Sequence, residues 1–223
     1  MSDASPVDVA EVVSEIRHDL RALGSPSTAE IREVRQRFSR RLAATSAADV
    51  VAVALALVDV PGFAHRFVGY ELIAYHRAAL ASLGEVELAV LARGMDSWEK
   101  VDTFGCYLAG PAWREGQVPD GVVHAWARSP DRWLRRAALV CTVALNIRAR
   151  GGRGDAPRTL QVCEMLLRDR DDMVVKAMSW ALRALSTQDR AAAADFLARH
   201  RAELASRVVR ELTNKLETGL KNP

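Results

Sequence analysis

The segment Asp131-Arg-Trp-Leu-Arg-Arg-Ala137 has a counterpart 40 residues further on, Asp171-Asp-Met-Val-Val-Lys-Ala177. Each begins with an acidic residue, which favours the positive end of a helix, and then places a large apolar, a basic and a small residue at the same spacing. Large apolar residues near predicted helix starts continue the pattern at offsets of 35, 35 and 40: Phe63, Trp98, Trp133 and Met173. A repeat of this length is typical of stacked helix pairs of the HEAT or armadillo kind.

The rest of the chain also has the periodicity and punctuation of helices. Capping signals precede three predicted helices, namely Ser5 before Pro6, Ser27 with Glu30, and Ser46 with Asp49. The run Val50–Val58 is apolar on every side, which predicts a central, buried helix. Pairs such as Gly110-Pro111 and Gly151-Gly152 predict breaks between helices.

These patterns predict an all-α fold, because no segment alternates between apolar and polar residues over the length of a strand. We expect a HEAT-like helical-repeat solenoid with a concave face, since stacked helix pairs curve in this way. A single domain is predicted over residues 1–223, with its first helices in residues 5–44. A non-repeating helical bundle is the structural alternative.

Composition excludes several classes of protein. Of 223 residues, 49% are hydrophobic and 26% are charged, so the chain is neither disordered nor collagen-like. No apolar run approaches the roughly 20 residues that span a bilayer, and no secretory signal is recognisable. We therefore predict a soluble, cytoplasmic protein without membrane partners. The widely spaced cysteines, Cys106, Cys141 and Cys163, predict buried free thiols, not a disulfide framework or a zinc site.

Charge distribution is more informative than net charge, which is only +3. The segment 132–153 contains six arginines and no acidic residue, and arginine is well suited to binding phosphate. The motifs of nucleotide-binding, zinc-hydrolase and serine-hydrolase chemistry are missing, and the five histidines have no metal-ligand spacing. We therefore predict no metal and no cofactor.

Tryptophans stand beside charged residues at helical spacing. Trp98 precedes Asp102 by four residues, and Trp180 precedes Arg183 by three, so each pair shares one face of a helix. Trp133 and Arg136 have the same relation. The alternative is that the indoles only fill seams between helices, as we expect of Trp113, Trp126 and Trp133.

Three motifs in this order, Ser97–Asp102, Trp133–Ala138 and Val175–Arg183, resemble the AlkD-like family of bacterial DNA alkylation repair glycosylases, which are HEAT-like solenoids. The resemblance implies that Asp102 is the catalytic carboxylate and that Trp98 and Trp180 flank the sugar and backbone of the lesion. It further implies a phosphate-binding role for Arg136, with Arg183 as a second such residue. From the arginine-rich segment, Arg148 and Arg150 are expected to line the same DNA-binding groove.

The implied reaction is hydrolysis of the N-glycosidic bond of cationic alkylated purines, such as 3-methyladenine or 7-methylguanine, in duplex DNA. A cationic purine leaves without protonation, and a carboxylate stabilises the oxocarbenium ion that forms on the sugar. The resemblance implies recognition without base flipping, and we expect a monomer. Two alternatives stay open: a non-catalytic DNA-binding solenoid for damaged or branched DNA, and a protein-interaction scaffold.

Overall fold

The computed structural model of the protein describes residues 7–223, which form helices and connecting turns without a β-strand among them. The predicted all-α class is therefore confirmed. The chain divides into two compact units, one ending at Gly94 and the other beginning at Met95. The prediction of a single solenoid domain stays a prediction. Within residues 7–223, no helix combines the length and the apolar character needed to cross a membrane.

The first unit contains six described helices: α1 (Val9–Ala22), α2 (Thr28–Arg41), α3 (Ala47–Val58), α4 (Phe63–Tyr75), α5 (Arg77–Ala81) and α6 (Glu85–Leu91). The predicted capping box of Ser27 and Glu30 is present at the start of α2. Ser46 caps α3 by accepting a hydrogen bond from the Asp49 amide at 3.1 Å. No residue of Val50–Val58 is exposed, as its apolar composition predicts.

The start of α1 differs from the prediction. Ser5 and Pro6 lie outside the described residues, and the helix begins at Val9. Its N-cap is Asp8, whose carboxylate accepts hydrogen bonds from the amides of Ala10 and Glu11. An aspartate satisfies free amides at a helix start as well as a serine does, so both signals were compatible with the sequence.

A buried ion-pair cluster joins α2 to α4 in the first unit. Glu71 is fully buried, and its two carboxylate oxygens accept hydrogen bonds from Arg32 at 3.1 Å and Arg35 at 3.0 Å. A buried carboxylate is tolerated only when it is paired and hydrogen-bonded, and Glu71 satisfies both conditions. The cluster therefore fixes the packing of α2 on α4.

The second unit is built around α10 (Arg132–Asn146), in which every residue from Arg136 to Asn146 is buried. Other elements of this unit are α7 (Trp98–Phe104), α8 (Gly110–Arg114), α9 (Asp120–Ala127), α11 (Ala156–Met165), α12 (Asp172–Leu185), α13 (Arg190–His200) and α14 (Ser206–Thr218). Helix α10 packs against α7, α8, α9, α11 and α12, and α12 packs against α14. The predicted free thiols, Cys106, Cys141 and Cys163, are all unpaired and buried.

The two halves of the predicted repeat begin in the same way. Asp131 caps α10 through the Trp133 amide at 2.8 Å, and Asp171 caps α12 through the Met173 amide at 2.9 Å. Phe63 and Trp98 are the first residues of α4 and α7, and Trp133 and Met173 are the second residues of α10 and α12. The local helix-start pattern is thus confirmed, whereas the stacking of these helices as HEAT-like repeats stays a prediction.

The predicted break at Gly110-Pro111 is wrong. A π-helical turn, Gly105–Ala109, connects α7 to α8, so the helical path continues from Trp98 to Arg114. In an α-helix the ring of Pro111 would clash with the carbonyl four residues earlier and one hydrogen bond would be lost. The wider π turn, closed by the Gly110 amide and the Gly105 carbonyl, accommodates the proline without ending the helix.

Candidate functional site

Asp102 on α7 forms an ion pair with Arg136 on α10. The Asp102 Oδ1 accepts a hydrogen bond from Arg136 Nε at 2.9 Å, and Oδ2 accepts one from Nη2 at 2.8 Å. The remaining terminal nitrogen of Arg136, Nη1, donates to the Met173 carbonyl at the start of α12, at 2.5 Å. Arg136 therefore links α7 and α12 through α10 and holds the Asp102 carboxylate in one orientation.

Two glycines allow the helical path that carries Asp102 to approach α10 this closely. A Cβ at Gly105 would lie 2.7 Å from Val140 Cγ1, and a Cβ at Gly110 would lie 2.8 Å from the carbonyl oxygen of Cys141. Real Cβ atoms do not tolerate such distances, because interiors are already close-packed. Gly105 and Gly110 thus bring α7 and α8 near enough to α10 for the bidentate pair to form.

The electrostatics of Asp102 are set by two opposed influences. Burial raises the pKa of this carboxyl, whereas the hydrogen bonds and positive charge of Arg136 lower it, and the raising influence is the larger. Glu99, one turn earlier, adds a smaller repulsion that also raises the pKa. The carboxylate keeps 17% of its side chain exposed. With two of its roughly four lone-pair positions used by Arg136, it can accept further hydrogen bonds or face a cation.

The indoles differ in exposure. Trp98, one turn before Asp102, is 51% exposed, and Trp180 on α12 is half-buried. Trp113 is fully buried, which confirms that it is a packing residue. Trp126 is half-buried and its ring lies 5.6 Å from that of Phe104.

Trp133 is less buried than expected of an indole that only fills a seam between helices. It is also half-buried, so it is more buried than Trp98 but belongs to the same exposure class as Trp180. The guanidinium of Arg132 lies over its ring at 4.9 Å.

Three of the predicted site residues come together in one cleft of about 550 Å³. Trp180 and Arg183 from α12 line it, together with Arg148 from a 3-10 turn over Arg148–Arg150. Arg148 is exposed, and its guanidinium has no partner among residues 7–223. Lys215 from α14 adds a third basic side chain to the lining. A cleft lined by one indole and three cationic side chains is suited to an anionic, partly aromatic ligand.

Arg183 contacts neighbouring protein groups through Nε, which leaves its two terminal nitrogens available. Its Nε donates to Ser179 Oγ at 3.2 Å and lies 3.8 Å from the buried carboxylate of Glu211. Within the described part of the chain, its two terminal nitrogens have no partner. Burial lowers the pKa of Arg183, and Glu211 opposes that shift. The cleft therefore presents two unpaired guanidinium edges, from Arg183 and Arg148.

Arg150 lies elsewhere than the sequence alone suggested. It is half-buried, its guanidinium lies 4.3 Å from the ring centre of Tyr107, and it does not line the cleft of Trp180. Arg114 Nη1 donates to its carbonyl at 2.7 Å. The structure thus separates Arg150 from Arg148, although the two are neighbours in sequence.

Arg136 was expected to bind phosphate, and in the structure it binds protein atoms. Its side chain is only 6% exposed, and all three of its guanidinium nitrogens donate to Asp102 or to Met173. A phosphate could use only the remaining N–H groups. The phosphate-binding role stays a prediction, and the contact that the structure describes is an orienting one.

Sequence reasoning missed Lys215, Glu211 and Tyr107. Glu211 is 3% exposed and accepts a hydrogen bond from Ser179 Oγ at 2.6 Å. Arg183 and Lys221 also lie within 4 Å of its carboxylate. Glu211 is 28 positions from Arg183, Lys215 is 32 positions from it, and Tyr107 lies within an unexpected π turn, so short-range spacing says little about them. A lysine and a glutamate four residues apart on α14 were the only available hint.

The second unit thus combines an oriented, partly exposed carboxylate beside an exposed indole with a cleft that offers unpaired guanidinium groups. Such a set defines a helical protein able to bind a polyanion and to face a developing cation. Residues 3–216 match the family model described as DNA alkylation repair enzyme, so the chain belongs to that family. Among curated proteins, none matches the chain. Membership in this DNA repair family makes DNA the expected partner.

Proposed function

We propose that this chain is a DNA glycosylase that hydrolyses the N-glycosidic bond of cationic alkylated purines in duplex DNA. Family membership supports alkylated DNA as the target. The choice of chemistry rests on one observation: the Asp102 carboxylate is fixed bidentately by Arg136 and keeps an exposed edge one turn from Trp98. The substrates are of the 3-methyladenine and 7-methylguanine type.

In the proposed reaction, the bond between the sugar C1′ and the purine nitrogen breaks. Its electron pair leaves with the purine and neutralises the positive charge on the base, so no general acid is needed. Asp102 stabilises the oxocarbenium ion left on the sugar, and a water molecule adds to C1′ and loses a proton, leaving an abasic site. The faces of Trp98 and Trp180 also attract this cation, by about 0.5–2 kcal/mol each.

Arg136 acts on this reaction through Asp102. A buried carboxylate without a partner would take up a proton, and a protonated carboxyl cannot stabilise a cation. The guanidinium opposes that shift and aims both carboxylate oxygens. Arg136 is therefore a positioning residue in this proposal, in addition to the phosphate contact that the family resemblance implies.

DNA binding is assigned to the cleft of Trp180. Arg148 and Arg183 supply unpaired guanidinium groups for backbone phosphates, and the indole packs against the sugar. We propose a monomer whose helices stack as HEAT-like repeats with the DNA on a concave face, acting in the cytoplasm. Recognition through the backbone and sugar requires no base flipping.

The deciding experiment is incubation of the protein with duplex DNA that contains 7-methylguanine, followed by chromatography of released base. We expect release of 7-methylguanine, and no release of uracil from a matched duplex, since the site residues named within 7–223 include no general acid for a neutral base. No release together with salt-dependent DNA binding would identify a non-catalytic DNA-binding protein instead. Absence of DNA binding would contradict both DNA-binding functions and favour a protein-interaction scaffold.

A further inference from the structure

We propose that a cleft in the first unit, lined by Ser39, Tyr75, His76 and Arg77, binds an unpaired nucleotide of a DNA strand. The cleft has a volume of about 400 Å³ and a floor of apolar residues that includes Leu42 and Leu72. It lies wholly within the unit that ends at Gly94 and shares no residue with the Asp102 pair or the Trp180 cleft.

The ring of Tyr75 is a fixed, exposed aromatic surface. The side chain is 59% exposed, and Arg35 lies against the ring at 4.2 Å from its centre. Arg35 is itself anchored, because its Nε donates to the fully buried Glu71 at 3.0 Å. An anchored guanidinium restrains one face of the phenol while more than half of the side chain stays accessible. Planar bases stack on such surfaces without regard to sequence.

The cleft that Tyr75 lines also contains polar atoms without a partner among residues 7–223. Ser39 Oγ is buried and makes no hydrogen bond with any residue of 7–223. His76 Nδ1 accepts the Ala79 amide at 3.1 Å, which places the proton of a neutral imidazole on Nε2 as a donor. Arg77 is exposed, and its guanidinium has no partner in the described chain. A buried hydroxyl without a protein partner is rare in folded proteins, so Ser39 Oγ adds an unsatisfied polar group to the cleft wall.

A nucleotide carries chemical groups that are complementary to those lining this cleft. Its base can stack on Tyr75, the edge of the base can bond to His76, and its phosphate can bind Arg77. The base must be unpaired, because a base stacked within a duplex exposes neither face. The strand is DNA because the family acts on DNA. This inference does not depend on glycosylase chemistry.

The test uses undamaged duplexes that differ only by one unpaired adenine, with affinity measured by fluorescence anisotropy at fixed salt. We expect the wild-type protein to bind the bulged duplex about tenfold more tightly, within the range of one base–aromatic stack. Tyr75→Leu should abolish that preference and Tyr75→Trp should retain it. Val86→Ala, which shortens another exposed apolar side chain of the same unit, is the matched control. Replacing the unpaired adenine by 2-aminopurine should give fluorescence quenching that depends on Tyr75.

Three outcomes would overturn the proposal. The first is equal affinity of the wild-type protein for bulged and fully paired duplexes. The second is an unchanged preference in a folded Tyr75→Leu protein. The third is binding of deoxyadenosine monophosphate as tightly as the bulge, which would identify a free nucleotide as the occupant. No alkylated base is present in these duplexes, so the preference for the bulge is measured independently of base release, and failure of base release would leave this result intact.

Discussion

Among the arginine–carboxylate contacts that join helices in the described part of the chain, those of Glu71 and Asp102 differ in how far solvent reaches the carboxylate. Glu71 on α4 has no exposed surface and is enclosed by Arg32 and Arg35. Asp102 on α7 is bound by Arg136 and keeps 17% of its side chain exposed. The same chemical pair therefore serves as a sealed cross-link in the first unit and as an oriented, accessible group in the second. Exposure, more than pairing, separates a structural carboxylate from a candidate catalytic one.

The largest effect on stability is expected from breaking the fully buried pair of Glu71 with Arg35. Glu71→Ala leaves Arg35 buried without its carboxylate, and breaking a buried pair in this way lowers the free energy of unfolding by about 3–5 kcal/mol. Chemical denaturation measures the change. The control is Glu15→Ala, which removes the exposed partner of Arg41 and should alter stability by about 0–1 kcal/mol. Similar changes in the free energy of unfolding for both variants would contradict the distinction between a buried and an exposed ion pair.

Removing the charge of Asp102, which stays partly exposed in its pair with Arg136, should affect the rate of base release more than the stability of the fold. Asp102→Asn should slow release of 7-methylguanine roughly 100-fold under single-turnover conditions, the scale for loss of one electrostatic stabiliser. Affinity for the substrate duplex should be unchanged or slightly higher, because the interaction is made mainly in the transition state. Equal release by both proteins would remove Asp102 from the mechanism.

The indoles provide a second contrast, between a buried and an accessible tryptophan. Trp180→Ala should slow excision by about 2- to 30-fold, which corresponds to one cation–π contact, with a small change in melting temperature. Trp113→Ala, at a fully buried position, should instead lower the free energy of unfolding by about 3–5 kcal/mol. Unfolding of the Trp180→Ala protein would show that this indole belongs to the core.

A smaller effect is expected when one phosphate contact is removed. Arg148→Ala should reduce the slope of log K against log salt by about 0.9 and should weaken binding to all duplexes alike. Arg168→Ala, which removes an exposed arginine paired with Glu203, is the control and should leave the slope unchanged. A sequence-dependent loss in Arg148→Ala would contradict a backbone contact.

The pH dependence of base release should reflect the burial of Asp102. Because burial raises the pKa of Asp102, its carboxylate becomes protonated on acidification earlier than a free aspartate of pKa 3.8. Base release should therefore fall at a pH above that value. The same raised pKa means that ionising Asp102 destabilises the fold as pH rises from the unfolded-state pKa through the folded-state pKa. In Asp102→Asn the acidic decline should be missing from the residual rate.

Local interactions account for the parts of the structure that the sequence predicted. The capping box of Ser27 and Glu30 and the acidic helix starts at Asp131 and Asp171 involve residues at most three positions apart. Contacts of this range are encoded directly in spacing. The buried helix α3 was equally visible, because its apolar run excludes a solvent-facing side.

The parts of the fold and of the candidate site that the sequence did not predict depend on contacts between segments far apart in sequence. Asp102 and Arg136 are 34 residues apart, and the sequence alone did not reveal that they pair with each other. Lys215 and Arg148 share a cleft only because α14 packs on α12. The break predicted at Gly110-Pro111 failed because a proline signal is ambiguous where the turn before it can widen.

The π turn Gly105–Ala109 determines how α7 and α8, the two ends of the helical path, are rotated relative to each other. A residue added to an α-helix rotates everything beyond it by about 100° around the axis. The extra residue in Gly105–Ala109 therefore sets the angular phase between the Asp102 face and the face that buries Trp113. Deleting a single residue there would remove the wide turn that accommodates Pro111 and would turn one of these faces away from α10. The segment would tolerate substitutions of matching size far better than any change in length.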